Sequence, residues 1–140
     1  MTVRIFLTSD LETCLMLRRV VFIEEQGVSE ADELDEYDAT AAHFLALDGD
    51  TPVGTARIIV DGSEGKIGRV CVSTSHRGTG LGAALIRAAL DHLRQVPGLR
   101  TARLGAQTYA TGFYQRLGFA VIGSEYPDAG ILHIDMERAV

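Results

Sequence analysis

The sequence predicts a mixed α/β (α+β) chain built on one sheet, with elements in the order β-α-β-β-β-α-β-α-β-β. Three observations predict it. Short apolar runs alternate with polar residues and are bounded by turn chemistry. The period lengthens to helical spacing in three places. Three strands also run in series before the second helix, which disfavours the early strand-helix-strand unit of a dinucleotide fold.

Val3 to Leu7 reads as a short first strand. Ser9-Asp10-Leu11-Glu12 has capping-box spacing, and Leu11, Cys14, Leu15, Val21 and Phe22 then predict an amphipathic helix over 10–23. Gly27 ends it, and Ser29 to Thr40 reads as an acidic loop with at most one helical turn. Residues 42–47 and 52–60 form a hairpin around Asp48-Gly49-Asp50-Thr51, and 66–72 adds a third antiparallel strand. Leu81, Leu85, Ala88, Ala89 and Leu93 predict a helix over 80–95, stopped by Pro97-Gly98. A buried strand over 101–106 and a short helix over 108–117, with Gly118 as its C-cap, come next. Strands over 119–122 and 131–136 close the chain.

Composition bounds the function classes. A length of 140 residues fits one domain, 1–140, with a core that needs no staples. With 46% hydrophobic and 23% charged residues, no apolar run approaches the roughly 20 residues of a membrane span, so no membrane partner is expected. The first residues carry one basic side chain and no long apolar stretch, so a secretory signal is not expected and the cytoplasm is. Cys14 and Cys71 lie in apolar surroundings, which suits free thiols, and the four histidines lack ligand spacing, so no metal is expected. A net charge of −6 disfavours nucleic acid. Ten of the carboxylates fall between Arg19 and Arg57, where there is no Lys or Arg. That block is either a solvated loop or a field that favours a cationic amine.

The chemistry concentrates at Arg77-Gly78-Thr79-Gly80-Leu81-Gly82, a turn between a strand and a helix. Glycines there let the backbone close on an anion, and the helix start adds free amides and about half a positive charge. A plain strand-to-helix connection is the alternative. A P-loop fails because the only lysine, Lys66, precedes the turn.

The pattern Arg-x-x-Gly-x-Gly resembles the acetyl-CoA signature of the GCN5-related N-acetyltransferases (GNAT). Gly112-Phe113-Tyr114-Gln115-Arg116-Leu117-Gly118-Phe119 is similar to a second motif of that family. The opening from Val20 to Val28, followed by Asp35, resembles a subgroup of small bacterial acetyltransferases of undefined substrate. The resemblance covers essentially the whole chain and implies a mostly antiparallel sheet of about six or seven strands. It also implies transfer of an acetyl group from acetyl-CoA to a primary amine, which the acidic block suggests is small and cationic.

By that resemblance the amides of Arg77, Gly78, Gly80, Gly82 and Ala83, with Thr79 in the same turn, hold the pyrophosphate. Cys71 and Val72 pair with the pantetheine arm, and the Val72 amide polarises the thioester carbonyl. Tyr114 is the candidate acid for the departing thiolate, with a core tyrosine as its alternative. Glu25 and His43 are candidate bases, each with a structural alternative as surface carboxylate or packed strand histidine. Gln26, Gln107 and Tyr109 are candidates, beside Glu25, for the acceptor pocket. A thiol in an apolar strand is a poor nucleophile, which argues against an acyl-cysteine at Cys71. A non-catalytic acyl-CoA sensor, a protein-lysine acetyltransferase and a homodimer all stay open.

Overall fold

The computed structural model describes residues 2–140. Seven strands form one sheet: β1 (Val3–Thr8), β2 (Ala42–Asp48), β3 (Thr51–Asp61), β4 (Glu64–Val72), β5 (Thr101–Gln107), β6 (Ala120–Asp128) and β7 (Ile131–Ala139). Their order across the sheet is β1-β2-β3-β4-β5-β7-β6. Every neighbouring pair is antiparallel except β4 and β5. Those two parallel strands pair only from Glu64↔Thr101 to Lys66↔Arg103, and no pairing continues beyond that point. The result is a gap in the middle of the sheet.

Helix α3 (Leu81–Arg94) covers one face. Its stripe of Leu81, Leu85, Ile86, Ala89, Leu90 and Leu93 is buried against Phe44, Ala56, Ile58 and Met136. Gly65 lets the helix lie close, since a Cβ there would fall 2.3 Å from Leu93 Cδ2. On the other face α1 (Leu11–Arg18) packs Cys14 and Leu17 on Leu45 and Cys71. Successive residues Phe44 and Leu45 thus serve opposite cores, as strand alternation requires. The short helices α2 (Glu30–Glu33) and α4 (Thr111–Arg116) complete the set.

Three local expectations change. The N-cap of α1 is Asp10 rather than Ser9: its carboxylate accepts from the Thr13 amide at 3.1 Å and the Thr13 hydroxyl at 2.6 Å. A carboxylate three residues before a hydroxyl-bearing side chain outcompetes the Ser9–Glu12 box, because one group satisfies two donors at once. The first helix is α-helical only to Arg18 and continues as a wider π-type segment over Arg19–Glu25. Val20, Val21 and Ile23 are β-branched and crowd a normal α turn. The last two strands are longer than their apolar runs suggest: exposed Gly123, Ser124 and Glu125 lie within β6, and partly buried Glu137 and Arg138 extend β7.

The largest correction concerns the acidic block, which is neither a loop nor fully solvated. Ser29 caps α2 and Asp35 caps a 3-10 turn over Glu36–Ala39. Arg18, only 1% exposed, bonds Glu33 at 2.6 Å and Asp38 at 2.7 Å. Arg57 bonds Asp35 at 2.7 Å and Asp38 at 3.1 Å, and Arg69 reaches Asp35 at 3.3 Å. Three guanidinium groups therefore neutralise three carboxylates inside the fold. Arg69 stands at a bulge where β4 has one more residue than β3, in the left-handed region at φ 49°. Its guanidinium donates to the Glu33 carbonyl, which holds that conformation in place.

Removing one partner of a buried ionic set strands the others without water. Arg18→Met should lower stability by about 3–5 kcal/mol in urea denaturation. Burial alone would push the Asp38 carboxyl up, but the Arg18 and Arg57 guanidinium groups hold it below the usual range. A depressed carboxylate binds its proton less readily folded than unfolded. Its contribution is therefore complete above an unfolded pKa of about 3.9 and disappears as pH falls through the lower folded value. Asp38→Asn should flatten that acid limb of the stability curve.

Candidate active site

The glycine-rich turn starts where β4 ends. Ser73 donates its amide to the Val53 carbonyl at 2.8 Å, and Val72 stands opposite Gly54. In an antiparallel ladder this leaves the Val72 N–H on the strand's other edge, facing the gap. A 3-10 turn over Thr74–His76 leads to Arg77, whose Nε donates to the Val72 carbonyl at 3.1 Å. Gly78 and Gly80 then take φ of +75° and +87°, conformations that a side chain resists. Thr79 donates its hydroxyl to the His76 carbonyl at 2.6 Å and keeps the loop tight.

Gly80 is the N-cap of α3 and has no side chain to cap with. The first-turn amides, those of Leu81, Gly82 and Ala83, have no intrahelical acceptor and point out of the helix end. A Cβ at Gly82 would stand 3.5 Å from Phe113 Cζ and 3.9 Å from Val72 Cγ2. The two sequence motifs, about 30 residues apart, therefore meet at one point beside the gap.

On the α1 face the gap opens into a cleft of about 600 Å³, lined by the diverging parts of β4 and β5 and by Phe22, Gln26, Tyr114 and β7. Tyr114 lies edge-on to Phe113 and Phe119, with centroids at 5.0 and 6.2 Å. Burial and the neighbouring Tyr109 push its phenol up, so it stays protonated at neutral pH. It can therefore donate a proton.

The sequence candidates divide. Gln107 Nε2 donates to Gln26 Oε1 at 3.1 Å, and the Tyr109 hydroxyl donates to Gln107 Oε1, so these three form one chain on the cleft wall. Glu25 lies outside that wall, on the surface, with its carboxylate 2.8 Å from Arg77 Nη2. It braces the glycine turn. His43 is buried 2.9 Å from the Asp38 carbonyl and contributes nothing to the cleft. Its Nε2 must carry the proton there, because a carbonyl only accepts. Cys71 is buried in the α1-side core, and desolvation raises its thiol to about 12, which leaves it inert at neutral pH.

The structure adds a group that was not singled out from sequence. Tyr126 donates to Asp135 Oδ1 at 2.6 Å, Arg103 holds the other Asp135 oxygen at 3.1 Å, and His133 stacks on Tyr126 at 6.1 Å. All four line the cleft. Gly105 leaves the space this needs, since a Cβ there would meet the Tyr126 hydroxyl at 2.6 Å. The signal was available as alternation: Ile131, His133 and Asp135 share the strand face opposite Ile134 and Met136.

With this geometry in place, comparison with known proteins is decisive. The family described as Acetyltransferase (GNAT) domain matches residues 21–140. The chain belongs to the GNAT acetyltransferases. Within the family, it is 39% identical over 140 residues to the uncharacterized protein YyaT of Bacillus subtilis, covering 98% of this chain and 94% of that one. ElaA of Escherichia coli superposes with a TM-score of 0.84 at 31% identity, over 98% of both chains. An acyl-CoA N-acyltransferase from Pseudomonas aeruginosa superposes at 0.88 and 27% identity, over 99% of this chain and 100% of that one. This GNAT chain is accordingly an acyltransferase with the sheet and helices of its relatives.

The ring around Asp135 is testable by titration. Burial first, then the Asp135 hydrogen bond and charge, push the Tyr126 phenol up to about 12. Asp135→Asn removes the charge and keeps an acceptor. Phenolate absorbance should then appear at lower pH than in the wild type, with the burial part of the shift left intact.

Proposed function

We propose that this GNAT acetyltransferase moves an acetyl group from acetyl-CoA directly to a primary amine that arrives as a cation. The observation that carries the reading is the uncapped start of α3 beside the β4–β5 gap, with the Val72 N–H facing that gap. The amides of Arg77, Gly78, Gly80, Gly82 and Ala83 suit a pyrophosphate, which needs several donors and a positive helix end. The free edges of β4 past Lys66 suit an extended pantetheine arm that pairs like a strand, near Cys71 and Val72. Charge that develops on the thioester oxygen is stabilised by the Val72 N–H.

The acceptor enters from the α1 face, where Gln26, Gln107 and Tyr109 meet. The support for a cation changes in kind, because Glu33, Asp35 and Asp38 spend their charge on arginines. Asp32 and Asp128, both exposed, remain on the cleft lining. After attack by the neutral amine the C–S bond breaks, and the Tyr114 phenol donates its proton to the departing sulfur.

Calorimetric titration with acetyl-CoA, with CoA and ATP as controls, tests the donor site. Acetyl-CoA should bind in the micromolar range and ATP should not, and Gly82→Glu should abolish binding. Failure of both CoA species to bind the wild type would end the reading. Tyr114→Phe should bind acetyl-CoA normally and lose about 10²–10⁴-fold in kcat by free-thiol release. Wild-type turnover in that variant would remove Tyr114 from the chemistry.

A further inference from the structure

A direct transfer leaves one proton unaccounted for, since a cationic amine must shed it before attack. Neither base candidate from the sequence lines the cleft: Glu25 braces Arg77 and His43 is buried on the Asp38 carbonyl. His76 is engaged at both ring nitrogens, by Ser75 at 2.7 Å and Asp48 at 2.8 Å. His92 packs edge-on to Phe44, on the α3 side.

His133 is placed differently. It is half-buried on β7, lines the cleft, and stands opposite Gln107 in the β5–β7 register. Its Nδ1 lies 2.7 Å from the Ile131 carbonyl. A carbonyl only accepts, so Nδ1 carries the hydrogen and the neutral ring presents Nε2 as a lone pair. No hydrogen-bond partner meets Nε2 among the described residues. The ring is oriented by the Ile131 bond and by near-parallel stacking on Tyr126, at an interplanar angle of 25°. An oriented imidazole with its basic nitrogen free beside the acceptor wall meets the first requirement of a general base, which is geometry.

We propose that His133 Nε2 is the base that takes a proton from the acceptor ammonium. This rests on the acetyl-CoA reading above. Nε2 removes one N–H proton, and the neutral nitrogen attacks the thioester carbonyl carbon. The C–S bond breaks and the sulfur leaves with the Tyr114 proton. The Tyr114 phenolate regains a proton from the nitrogen that has become an amide, and the imidazolium passes its own to solvent. The balance is one ammonium and one thioester in, and one amide, one thiol and one proton out.

Charged and titratable groups face the ring from three strands and a turn. Asp135 shares its strand face, Tyr126 and Asp128 approach from β6, Arg103 from β5, and Tyr109 from the turn after β5. Arg103 and Tyr126 already occupy Asp135, the carboxylate on the ring's own strand face, and Asp128 is exposed to solvent.

The test compares two probe nucleophiles on wild type and His133→Asn, whose amide can keep the donor to Ile131. Phenethylamine is a cation at pH 7 and hydroxylamine is neutral there. With saturating acetyl-CoA, the variant should lose about 100-fold in kcat/KM for phenethylamine and only a few-fold for hydroxylamine. Its phenethylamine rate should recover as pH rises toward the amine's own pKa, with the histidine limb of the wild-type profile gone. An equal loss on both probes, or wild-type rates on phenethylamine, would overturn the assignment. Acetyl-CoA titration of the same variant reads the donor site independently: retained binding shows an intact fold, so any loss of rate belongs to His133 and not to the cofactor reading.

Discussion

The buried set of Arg18, Arg57 and Arg69 with Glu33, Asp35 and Asp38 is the constraint on which the α1-side wall of the cleft depends. A segment as acidic as residues 24–38 would repel itself and stay in water if left alone. The arginines arrive from α1, β3 and β4, so the segment closes only after those elements have met. Its closure then fixes three things at once: the exit of the π-type turn that carries Gln26, the bulge at Arg69, and the near wall of the cleft. Ionic burial of this kind contributes little net stability, but it permits few alternative arrangements.

At the glycine turn the exposed chemistry is that of the backbone. Glycines at 78, 80 and 82 keep side chains away from the helix start, and the β4–β5 separation exposes strand edges that sheets normally pair. Side chains shape the cleft instead: Tyr114 on α4, and the Tyr126, His133 and Asp135 group on β6 and β7. This division fits the proposed reaction, in which the donor would be held by backbone and the acceptor by side chains. A row of amides recognises any phosphate, whereas side chains can be exchanged one at a time.

Much of the architecture was legible in the sequence because it is written in local periodicity. The apolar runs of β2 and β3 with the turn between them, the α3 stripe and the glycine turn each need only neighbouring residues for their interpretation. What was missed depends on long-range pairing. Nothing near Glu33 in sequence indicates that Arg18 and Arg69 will neutralise it, so the acidic block read as solvent-facing or substrate-facing. His43 looked suitable by type, yet its strand position turns it toward the Asp38 carbonyl. The separation of β4 from β5 leaves no mark of its own, since nothing in the residues of either strand says where its partner departs. The polar face of β7 was present as alternation, but its importance appears only when β5 and β6 are laid beside it.

Because β4 and β5 share only three residue pairs, the sheet is two plates, β1-β2-β3-β4 and β5-β7-β6, joined by a short seam. A ligand that lies along the open part of that seam supplies hydrogen bonds the plates do not make for each other. It then acts as a structural member as well as a reactant. A ligand that binds only the closed form adds about 2.7 kcal/mol of stability at a hundred times its Kd, a sizeable fraction of what holds a domain of this size together. The abundance of the folded protein would then follow the supply of its acyl donor, and the chain would be most vulnerable to opening along the seam when that supply is low.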